Sequence, residues 1–517
     1  MVCWLILLVI MNVAVMEPQE EYCRITAPNI LLVIADDLGW ADIGFSHKPD
    51  GFVSDKGIPE TPHLDRTAEE GLVLDNLYTQ AACTPTRGSL MTGKYAFRLG
   101  QLFTSSVMGP QEKESSSHKF LSKELAERGY KVHGVGKWHL GHREKRYRPT
   151  ERGFDSFYGL YKGMGTHYTH HHVSHPWLGE TWGRHFGDHD FHYDYRNGSE
   201  SVLTETEDDE GVHSTELFTK AAVSRIKEHD KTSPLFLYVA YTAPHSPLEP
   251  DESIVAKRNN HIIDVERRRY AAMVTQMDDG FGEILSALEE RSMKENTVII
   301  FVSDHGAALV KSCWDYVGGS NKPYRDGKFT FFEGGIKSAA FIWAPWLNDG
   351  VKGTHSKALA HVVDIHSLVL SLSGCMTNLV DNKINNEDGS MSLIRALKGD
   401  HSGRDTILHN LVSTPLPLNK LTKYCSPTTP QPGNYGVIRY HNYKLFYGDL
   451  VMWCHSDLLT EPCPDLVFVS GRAAMLFDLE IDPYERVNIA ASNIDVVEKL
   501  AAMILEYSKD APSQWVV

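Results

Sequence analysis

The 517-residue chain is 42% hydrophobic and 23% charged, which is the composition of a globular protein with ample apolar residues for a large core. Its length predicts roughly two to four domains. A formal net charge of −16 at pH 7 argues against a nucleic-acid partner. No internal stretch is long and apolar enough to predict a stable membrane span.

The N-terminus is almost wholly apolar as far as Met16 and is too short for a comfortable span of a bilayer. We interpret residues 1–22 as a signal peptide, although a basic leading region and a clean Ala-x-Ala site are missing. An uncleaved anchor is the alternative. A signal peptide predicts the secretory pathway, with a lysosomal or extracellular destination, and the sequon Asn197-Gly198-Ser199 suits that route.

Cysteine usage fits the same compartment. Apart from Cys3 in the signal segment and Cys83, which is treated below, six cysteines remain: Cys23, Cys313, Cys375, Cys425, Cys454 and Cys463. An even number in a secreted chain permits disulfides, but their pairing cannot be read from the sequence. We expect a bridge among the last three because they lie close together along the chain.

Apolar runs and helical spacing alternate along the first two thirds of the chain. Buried strands are predicted at 29–35, 72–78, 130–135, 235–241 and 297–302. Helices are predicted at 62–70, 121–128, 214–229 and 266–291. This alternation predicts an α/β fold with a mostly parallel sheet flanked by helices. The region from 143 to 211, rich in His, Tyr, Trp and Gly, is predicted to be a long ordered loop.

A change in composition after Gly374 predicts a domain boundary near 375–400. We assign 23–385 to the main, catalytic domain and 386–517 to a smaller C-terminal subdomain. Short strands at 436–440 and 444–447 and a final helix at 494–507 predict a small antiparallel sheet with one packed helix. Nothing in this segment looks catalytic.

Polar groups follow four of the predicted strands: Asp36-Asp37, Lys137-Trp138-His139, Pro244-His245 and Asp304-His305. Ligands of such sheets bind beyond the carboxyl ends of the strands. Adjacent carboxylates are costly without a compensating cation or donors, and three carboxylates with a neutral donor suit Ca²⁺ or Mg²⁺. Solvated loop acids and ordinary loop histidines are the alternative for each group.

Cys83 begins the run Cys83-Thr84-Pro85-Thr86-Arg87. Pro85 suits the first turn of a helix, and Gly93 can end that helix. The helix dipole and Arg87 then both favour negative charge at Cys83, which is typical of a reactive cysteine. The alternative is a buried thiol at a helix start.

The run from Cys83 to Gly93 resembles the sulfatase signature, and Gly136-Lys137-Trp138-His139-Leu140-Gly141 is similar to the second signature of that family. The resemblance covers about 27–375 plus 476–483, and it implies an alkaline-phosphatase-like fold. The segments 152–159 and 331–335 resemble the arylsulfatase B branch. That branch removes 4-sulfate from N-acetylgalactosamine in dermatan and chondroitin sulfates.

The resemblance implies that the formylglycine-generating enzyme oxidises Cys83 to formylglycine, whose aldehyde hydrate attacks sulfur. It also implies one Ca²⁺ per chain, bound by Asp36, Asp37, Cys83, Asp304 and His305. Many arylsulfatases have Asn where this chain has His305, and an imidazole is a poorer ligand than an amide oxygen for a hard cation.

Further roles are implied for five side chains. Arg87 would hold the formylglycine oxygens, and Lys137 and Lys328 would bind the sulfate group. His139 would take a proton from the second formylglycine hydroxyl, which expels sulfate. Either His245 or Lys328 would protonate the leaving alcohol as the general acid.

The predicted function is therefore hydrolysis of sulfate esters on a sulfated carbohydrate. One rival is a phosphatase or phosphodiesterase of the same superfamily, which commonly uses Thr or Ser and two metals. The other is a secreted protein that binds sulfated glycans without cleaving them. A histidine-rich loop with His167, His170, His171, His172 and His175 suggests polyanion binding at low pH or a stray metal site, against a merely solvated loop. If all 26 histidines were protonated, the net charge would turn positive, which favours an acidic compartment.

Overall fold

The computed structural model describes 27–47, 57–100, 118–142, 144–173, 186–198, 200–205, 209–309, 318–374, 388–389, 392–412, 435–448 and 464–510. The predicted signal peptide, every cysteine except Cys83, Ser199 of the sequon and His175 lie outside the described residues. The predictions of signal cleavage, disulfide bonding and glycosylation therefore stay predictions.

The strands are β1 (Asn29–Asp36), β2 (Leu72–Leu74), β3 (Leu77–Tyr78), β4 (Lys131–Lys137), β5 (Ser156–Leu160), β6 (His171–Val173), β7 (Phe186–His189), β8 (Phe191–Asn197), β9 (Glu200–Glu205), β10 (Leu235–Pro244), β11 (Thr297–Ser303), β12 (Ala340–Trp343), β13 (Thr354–Ser356), β14 (Ala360–His361), β15 (Thr406–Val412), β16 (Tyr435–Tyr440), β17 (Tyr443–Gly448), β18 (Val467–Val469) and β19 (Arg472–Asp478).

The α-helices are α1 (Pro62–Glu69), α2 (Cys83–Thr92), α3 (Leu121–Glu127), α4 (Ser214–Glu228), α5 (Glu252–Arg258), α6 (Val265–Glu290), α7 (Glu333–Ile336), α8 (Val362–Leu372), α9 (Ser392–Leu397) and α10 (Ile494–Tyr507). The predicted helices and buried strands match these bounds within a few residues, with one exception. The predicted strand at 72–78 is two short strands, β2 and β3, on either side of a turn.

A ten-stranded sheet dominates the molecule, in the order β13-β2-β12-β11-β1-β10-β4-β5-β8-β9. The five central strands, from β11 to β5, are parallel, as the alternating pattern predicts. Strands β12, β8 and β9 run antiparallel to their neighbours, so the sheet as a whole is mixed. The fold class predicted from the sequence is confirmed in this form.

Helices cover both faces of the large sheet because the central strands bury side chains on both sides. In β1, Ile30, Leu32 and Ile34 face a core shared with α2, α3 and α8. The alternate residues Leu31 and Val33 face a second core shared with α1, α4 and α6. No helix of the described part of the chain has the length and apolar character needed to cross a bilayer.

The region from 143 to 211, predicted to be one long loop, contains strands β5 to β9 within its described parts. Strand β5 extends the parallel set, and β8 and β9 form an antiparallel hairpin at its edge. Polar and aromatic residues alternate in β8, and most of its side chains are only partly buried. A search for continuous apolar runs overlooks such half-buried strands.

The C-terminal segment forms the predicted small antiparallel sheet, in the order β15-β16-β17-β19-β18, with α10 packed on it. The core of this sheet includes Phe331, Phe332 and Ile336, which belong to the main part of the chain. The two units therefore share apolar contacts. The proposed boundary at 385 falls in 375–387, outside the described residues, and α9 beyond it packs into the core of the large sheet.

Candidate active site

The carboxyl ends of four adjacent strands, β11, β1, β10 and β4, meet at one edge of the large sheet. Asp36 ends β1, Lys137 ends β4, His245 follows β10 and Asp304 follows β11. All four side chains are buried. The main-chain N–H of His245 donates to the carbonyl oxygen of Asp36 over 2.7 Å, and that of Asp304 donates to Ala35 over 3.0 Å. The polar groups that end separate strands in the sequence thus converge in space.

Cys83 is the first residue of α2, and Gly93 ends that helix with a φ of 65°. The Sγ atom of Cys83 lies 3.7 Å from Asp36 Oδ1 and 3.2 Å from His305 Nε2. Burial and Asp36 oppose ionisation, but Lys137 and other cationic neighbours outweigh them and hold the pKa of Cys83 well below its ordinary value. Cys83 therefore sits in the environment that the sequence predicts for a reactive residue.

Arg87 is fully buried one turn further along α2. One terminal nitrogen lies 3.1 Å from both Asp36 Oδ2 and Asp304 Oδ2. The other donates to the Lys137 carbonyl oxygen over 2.9 Å and lies 3.4 Å from the Tyr238 hydroxyl. Because a buried guanidinium requires partners, these contacts make Arg87 the counter-ion of two site carboxylates. Its contact with the oxygens of a modified residue 83 stays a prediction.

Two lysine ammonium groups complete the ionic pairing of the site. Lys137 Nζ contacts Asp36 Oδ2, and Lys328 Nζ donates to Asp37 Oδ2 over 2.8 Å. Both lysine side chains are 1% exposed. Burial opposes the charge of Lys328, but Asp37, Cys83 and Asp36 together outweigh burial and raise the pKa of the lysine. Both ammonium groups lie where they can stabilise an incoming anion.

Two of the site histidines are neutral. Burial lowers the pKa of His139 to about 4, and the neighbouring Cys83 offsets this only in part. Neither ring nitrogen of His139 has a hydrogen-bond partner of good geometry among the described residues. His245 Nδ1 lies 2.7 Å from the Ser246 carbonyl oxygen, so Nδ1 carries the proton. Burial and then Lys328 lower the pKa of His245.

The donor set around Cys83 fits a divalent cation. Ligand atoms of Asp36, Cys83, Asp304 and His305 all lie within 4.8 Å of one another. Oδ1 of Asp304 is buried and accepts no hydrogen bond within the described part of the chain. Burial and Asp36 raise the pKa of Asp304 to about 7, because the carboxylate charge is not fully compensated. A cation among these atoms would supply the missing compensation.

His305 is oriented as metal-binding histidines usually are. Its Nδ1 lies 3.0 Å from the Gly306 carbonyl oxygen, which leaves Nε2 facing Cys83 and Asp304. Burial alone would lower the pKa of His305, but Asp304 and Cys83 raise it to about 9. Asp37, the fifth predicted ligand, is grouped instead with Asp36 and His245.

A comparison with known protein families identifies the chain. The sulfatase family model matches residues 28–375. The chain belongs to the sulfatase family. As a member of that family, this enzyme is a sulfuric ester hydrolase.

Curated relatives of this sulfatase extend the match. It is 32% identical over 514 residues to mouse arylsulfatase J, which covers 96% of this chain and 78% of the relative. It is also 32% identical over 363 residues to human N-acetylgalactosamine-6-sulfatase, which covers 67% of this chain and 62% of the relative. The chain thus spans less than two thirds of the human enzyme's length. Neither match confirms the arylsulfatase B branch.

Solved structures confirm the fold of this sulfatase. PsFucS1 sulfatase from Pseudoalteromonas sp. superposes with a TM-score of 0.70 at 22% identity, covering 96% of both chains. A structure described as Ps i-CgsB gives a TM-score of 0.69 at 24% identity, covering 94% of both chains.

Sequence reasoning missed several residues that shape the sulfatase site. Tyr238 lies within an apolar strand, and Gly163 lies in the region predicted to be a loop, so neither carries a local signal. In the histidine-rich segment, His167 and His170 are buried rather than solvated. His167 Nε2 lies 3.1 Å from the carbonyl oxygen of His245, and its Nδ1 lies 2.7 Å from the Ser214 hydroxyl. His167 therefore supports the segment that carries His245.

Proposed function

We propose that this sulfatase removes sulfate from N-acetylgalactosamine-type sugars of glycosaminoglycans, with the 4-sulfate as the first candidate. The proposal includes a formylglycine formed from Cys83 and one Ca²⁺ held by Asp36, Cys83, Asp304 and His305, with Asp37 beside them. One observation carries it: a buried Cys83 at a helix start faces Asp36 and His305, with two paired lysines nearby.

The residues of the proposed site have separate roles in the reaction. When present, the hydrated aldehyde supplies the attacking oxygen, and the cation supplies positive charge next to it. Lys137 and Lys328 hold the sulfate group and stabilise the charge that develops as the ester bond breaks. His139, whose nitrogens are neutral and unbonded, accepts a proton at residue 83.

The proton for the leaving alcohol comes from Lys328 or His245. Lys328 remains an ammonium, whereas the lowered pKa of His245 leaves it neutral at ordinary pH. Lys328 is therefore the protonated one of the two, but its raised pKa means that it holds its proton tightly, so both groups remain candidates for the general acid. A sugar alcohol is a poor leaving group, so its departure depends on this proton more than the departure of an activated phenol does.

The position of the sulfate on the sugar is the most specific element of the proposed function. The sequence resemblance to the 4-sulfatase branch includes Arg152, but that side chain is buried against Phe120 and donates to the Leu140 carbonyl oxygen over 3.0 Å. It therefore supports the loop that carries His139. The human relative is named a 6-sulfatase, so both positional isomers must be compared.

We further propose a route through the secretory pathway to the lysosome or the outside of the cell, which the apolar N-terminus favours, and maturation by the formylglycine-generating enzyme, which the signature at Cys83 implies. One structural neighbour is described in complex with a neocarrahexaose, and this bound sugar is consistent with the carbohydrate substrate that we propose.

The decisive experiment combines mass spectrometry of the peptide containing Cys83 with turnover assays. We expect formylglycine at residue 83, hydrolysis of an aryl sulfate in preference to the aryl phosphate, and release of sulfate from 4-sulfated N-acetylgalactosamine. Faster release from the 6-sulfate would correct the position only. Preference for the phosphate would favour the phosphatase reading, and unmodified cysteine without any turnover would favour a glycan binder.

The variant Cys83→Ala tests the nucleophile. We expect turnover to fall to background while the melting temperature stays close to that of the wild type, since an alanine is well tolerated at the start of a helix. Sulfate release by the purified variant would contradict the assignment of Cys83.

A further inference from the structure

A network of buried charges joins the C-terminal sheet to the site. Glu333, the first residue of α7, is 2% exposed and stands five residues after Lys328. Its Oε1 accepts from Lys444 Nζ over 3.0 Å, and its Oε2 accepts from the Tyr78 hydroxyl over 2.6 Å. Its main-chain N–H donates to Glu485 Oε2 over 2.5 Å. Both carboxylate oxygens and the main-chain N–H of Glu333 therefore have hydrogen-bond partners.

Lys444 lies at the centre of this network, in β17, with no exposure to solvent. Its Nζ stands between two carboxylates, 3.0 Å from Glu333 Oε1 and 2.8 Å from Glu485 Oε1. Arg439 contacts the Tyr78 hydroxyl from the same sheet. A buried cation is retained only when such partners satisfy it, so these groups hold one another in fixed positions.

The network holds both ends of the loop that carries Lys328. At the far end, the carbonyl oxygen of Glu485 lies 3.4 Å from Arg325 Nη1. The carbonyl oxygen of Arg325 accepts from the main-chain N–H of Gly334 over 2.8 Å, which closes the loop. Within it, Lys328 reaches Asp37 over 2.8 Å. The loop is thus clamped at its base by residues of the C-terminal unit.

We propose that Lys444 and Glu485 are positioning residues for Lys328. They fix the base of the Arg325–Glu333 loop, so that the ammonium group remains on Asp37 and in place for the anionic group of the substrate. The inference rests on the proposed role of Lys328 in holding sulfate. It assigns a function in catalysis to a part of the chain whose own sequence shows no catalytic motif.

The test measures how tightly folded enzyme binds inorganic sulfate as a competitive inhibitor. Lys444→Met keeps the length of the side chain and removes its charge. We expect the inhibition constant for sulfate to rise about tenfold and kcat/KM to fall by a similar factor, which corresponds to one weakened charge-assisted hydrogen bond. A loss of folded protein alone would lower the maximal rate and leave the inhibition constant unchanged.

Arg404→Met is the matched control. Arg404 is a second cation with a side chain only 9% exposed, and it pairs with Asp364 over 3.0 Å and contacts Tyr95 and the Asp388 carbonyl oxygen. We expect this variant to lower the melting temperature while sulfate inhibition stays at the wild-type value. If Lys444→Met behaves in the same way, the positioning role is overturned.

A second variant keeps the test decisive if Lys444→Met does not fold. Glu485 has a φ of 55°, which glycine adopts freely, so Glu485→Gly removes the carboxylate without adding backbone strain. It must weaken sulfate inhibition, or the proposal is wrong. Failure of the proposed function has a different signature, since the wild-type enzyme would then show no turnover of aryl sulfate.

Discussion

At the scale of single residues, His139 is held by packing rather than by hydrogen bonds. Neither ring nitrogen makes a hydrogen bond of good geometry among the described residues, while the main-chain N–H donates to the Tyr161 carbonyl oxygen over 3.1 Å. Gly163 lies against the ring: a Cβ placed there would stand 2.4 Å from His139 Nε2 and 2.5 Å from Cε1. The orientation of this imidazole therefore requires that residue 163 has no side chain.

Gly163→Ala should displace the His139 ring and lower kcat/KM by about 10- to 100-fold, as small misplacements of a catalytic group do. If Gly163 acts only through His139, the effect must vanish once the ring is gone. In a His139→Ala background, we expect Gly163→Ala to change kcat/KM by less than about twofold. The measurement is a double-mutant cycle on one aryl sulfate.

Gly165→Ala provides the control for this cycle. The added methyl group would meet the tip of Leu160 at 2.7 Å, and a flexible side chain can move away. Neither glycine has the left-handed backbone that would itself strain an alanine. Equal losses in the Gly163 and Gly165 variants, or an undiminished loss without the His139 ring, would show that the effect is not specific to the imidazole.

At the scale of elements, the meeting of these strand ends could be predicted from the sequence because parallel strands impose it. Each buried strand is a continuous apolar run, so its end is visible where Asp36, Lys137 or Asp304 appears. Strands that run parallel bring those ends to one edge, whatever their order in the sheet. The start of α2 at Cys83 was equally visible, because Pro85 and Gly93 mark the helix from both sides.

Partners distant in sequence could not be predicted in the same way. The pairing of Arg87 with Asp36 and Asp304 links three elements, and no spacing along the chain records it. The same holds for Lys444, which reads as one charged residue in a short strand, yet it lies between two buried carboxylates. Such contacts depend on how the elements pack, which local patterns do not encode.

At the scale of the whole molecule, the histidine content has a different meaning from the one predicted. The structure lowers the pKa of ten histidines, mainly by burial: His133, His139, His142, His167, His213, His229, His245, His361, His366 and His409. A sum in which all 26 histidines are protonated therefore overstates the positive charge that mild acid adds. Burial keeps many of them neutral in mildly acidic solution.

The lowered pKa of His366 has a measurable effect on the stability of the fold in acid. It is 3% exposed, and burial lowers its pKa to about 3, below the value of about 6.5 expected for the unfolded chain. The folded state then binds fewer protons, so stability is lost as the pH falls from about 6.5 towards 3. At pH 5 this one group should cost about 2 kcal/mol relative to pH 7. His366→Leu should therefore reduce the fall in melting temperature between pH 7 and pH 5.

The exposed His261 supplies the control, since His261→Leu should leave the difference between the two pH values unchanged. Any cost of repacking at position 366 applies equally at both pH values, so only the change with pH is diagnostic. An identical acid sensitivity in wild type and His366→Leu would refute the assignment.

The guanidinium of Arg87 determines what happens to the fold when a bound cation is removed. Asp36 and Asp304 share Arg87 as a counter-ion. When a bound cation is removed, the two buried carboxylates are therefore still paired with a positive charge. Treatment with EGTA should therefore abolish sulfate release while circular dichroism still reports a folded protein, and added Ca²⁺ should restore the rate. Unfolding on chelation would mean that the ion, rather than the arginine, holds these strand ends together.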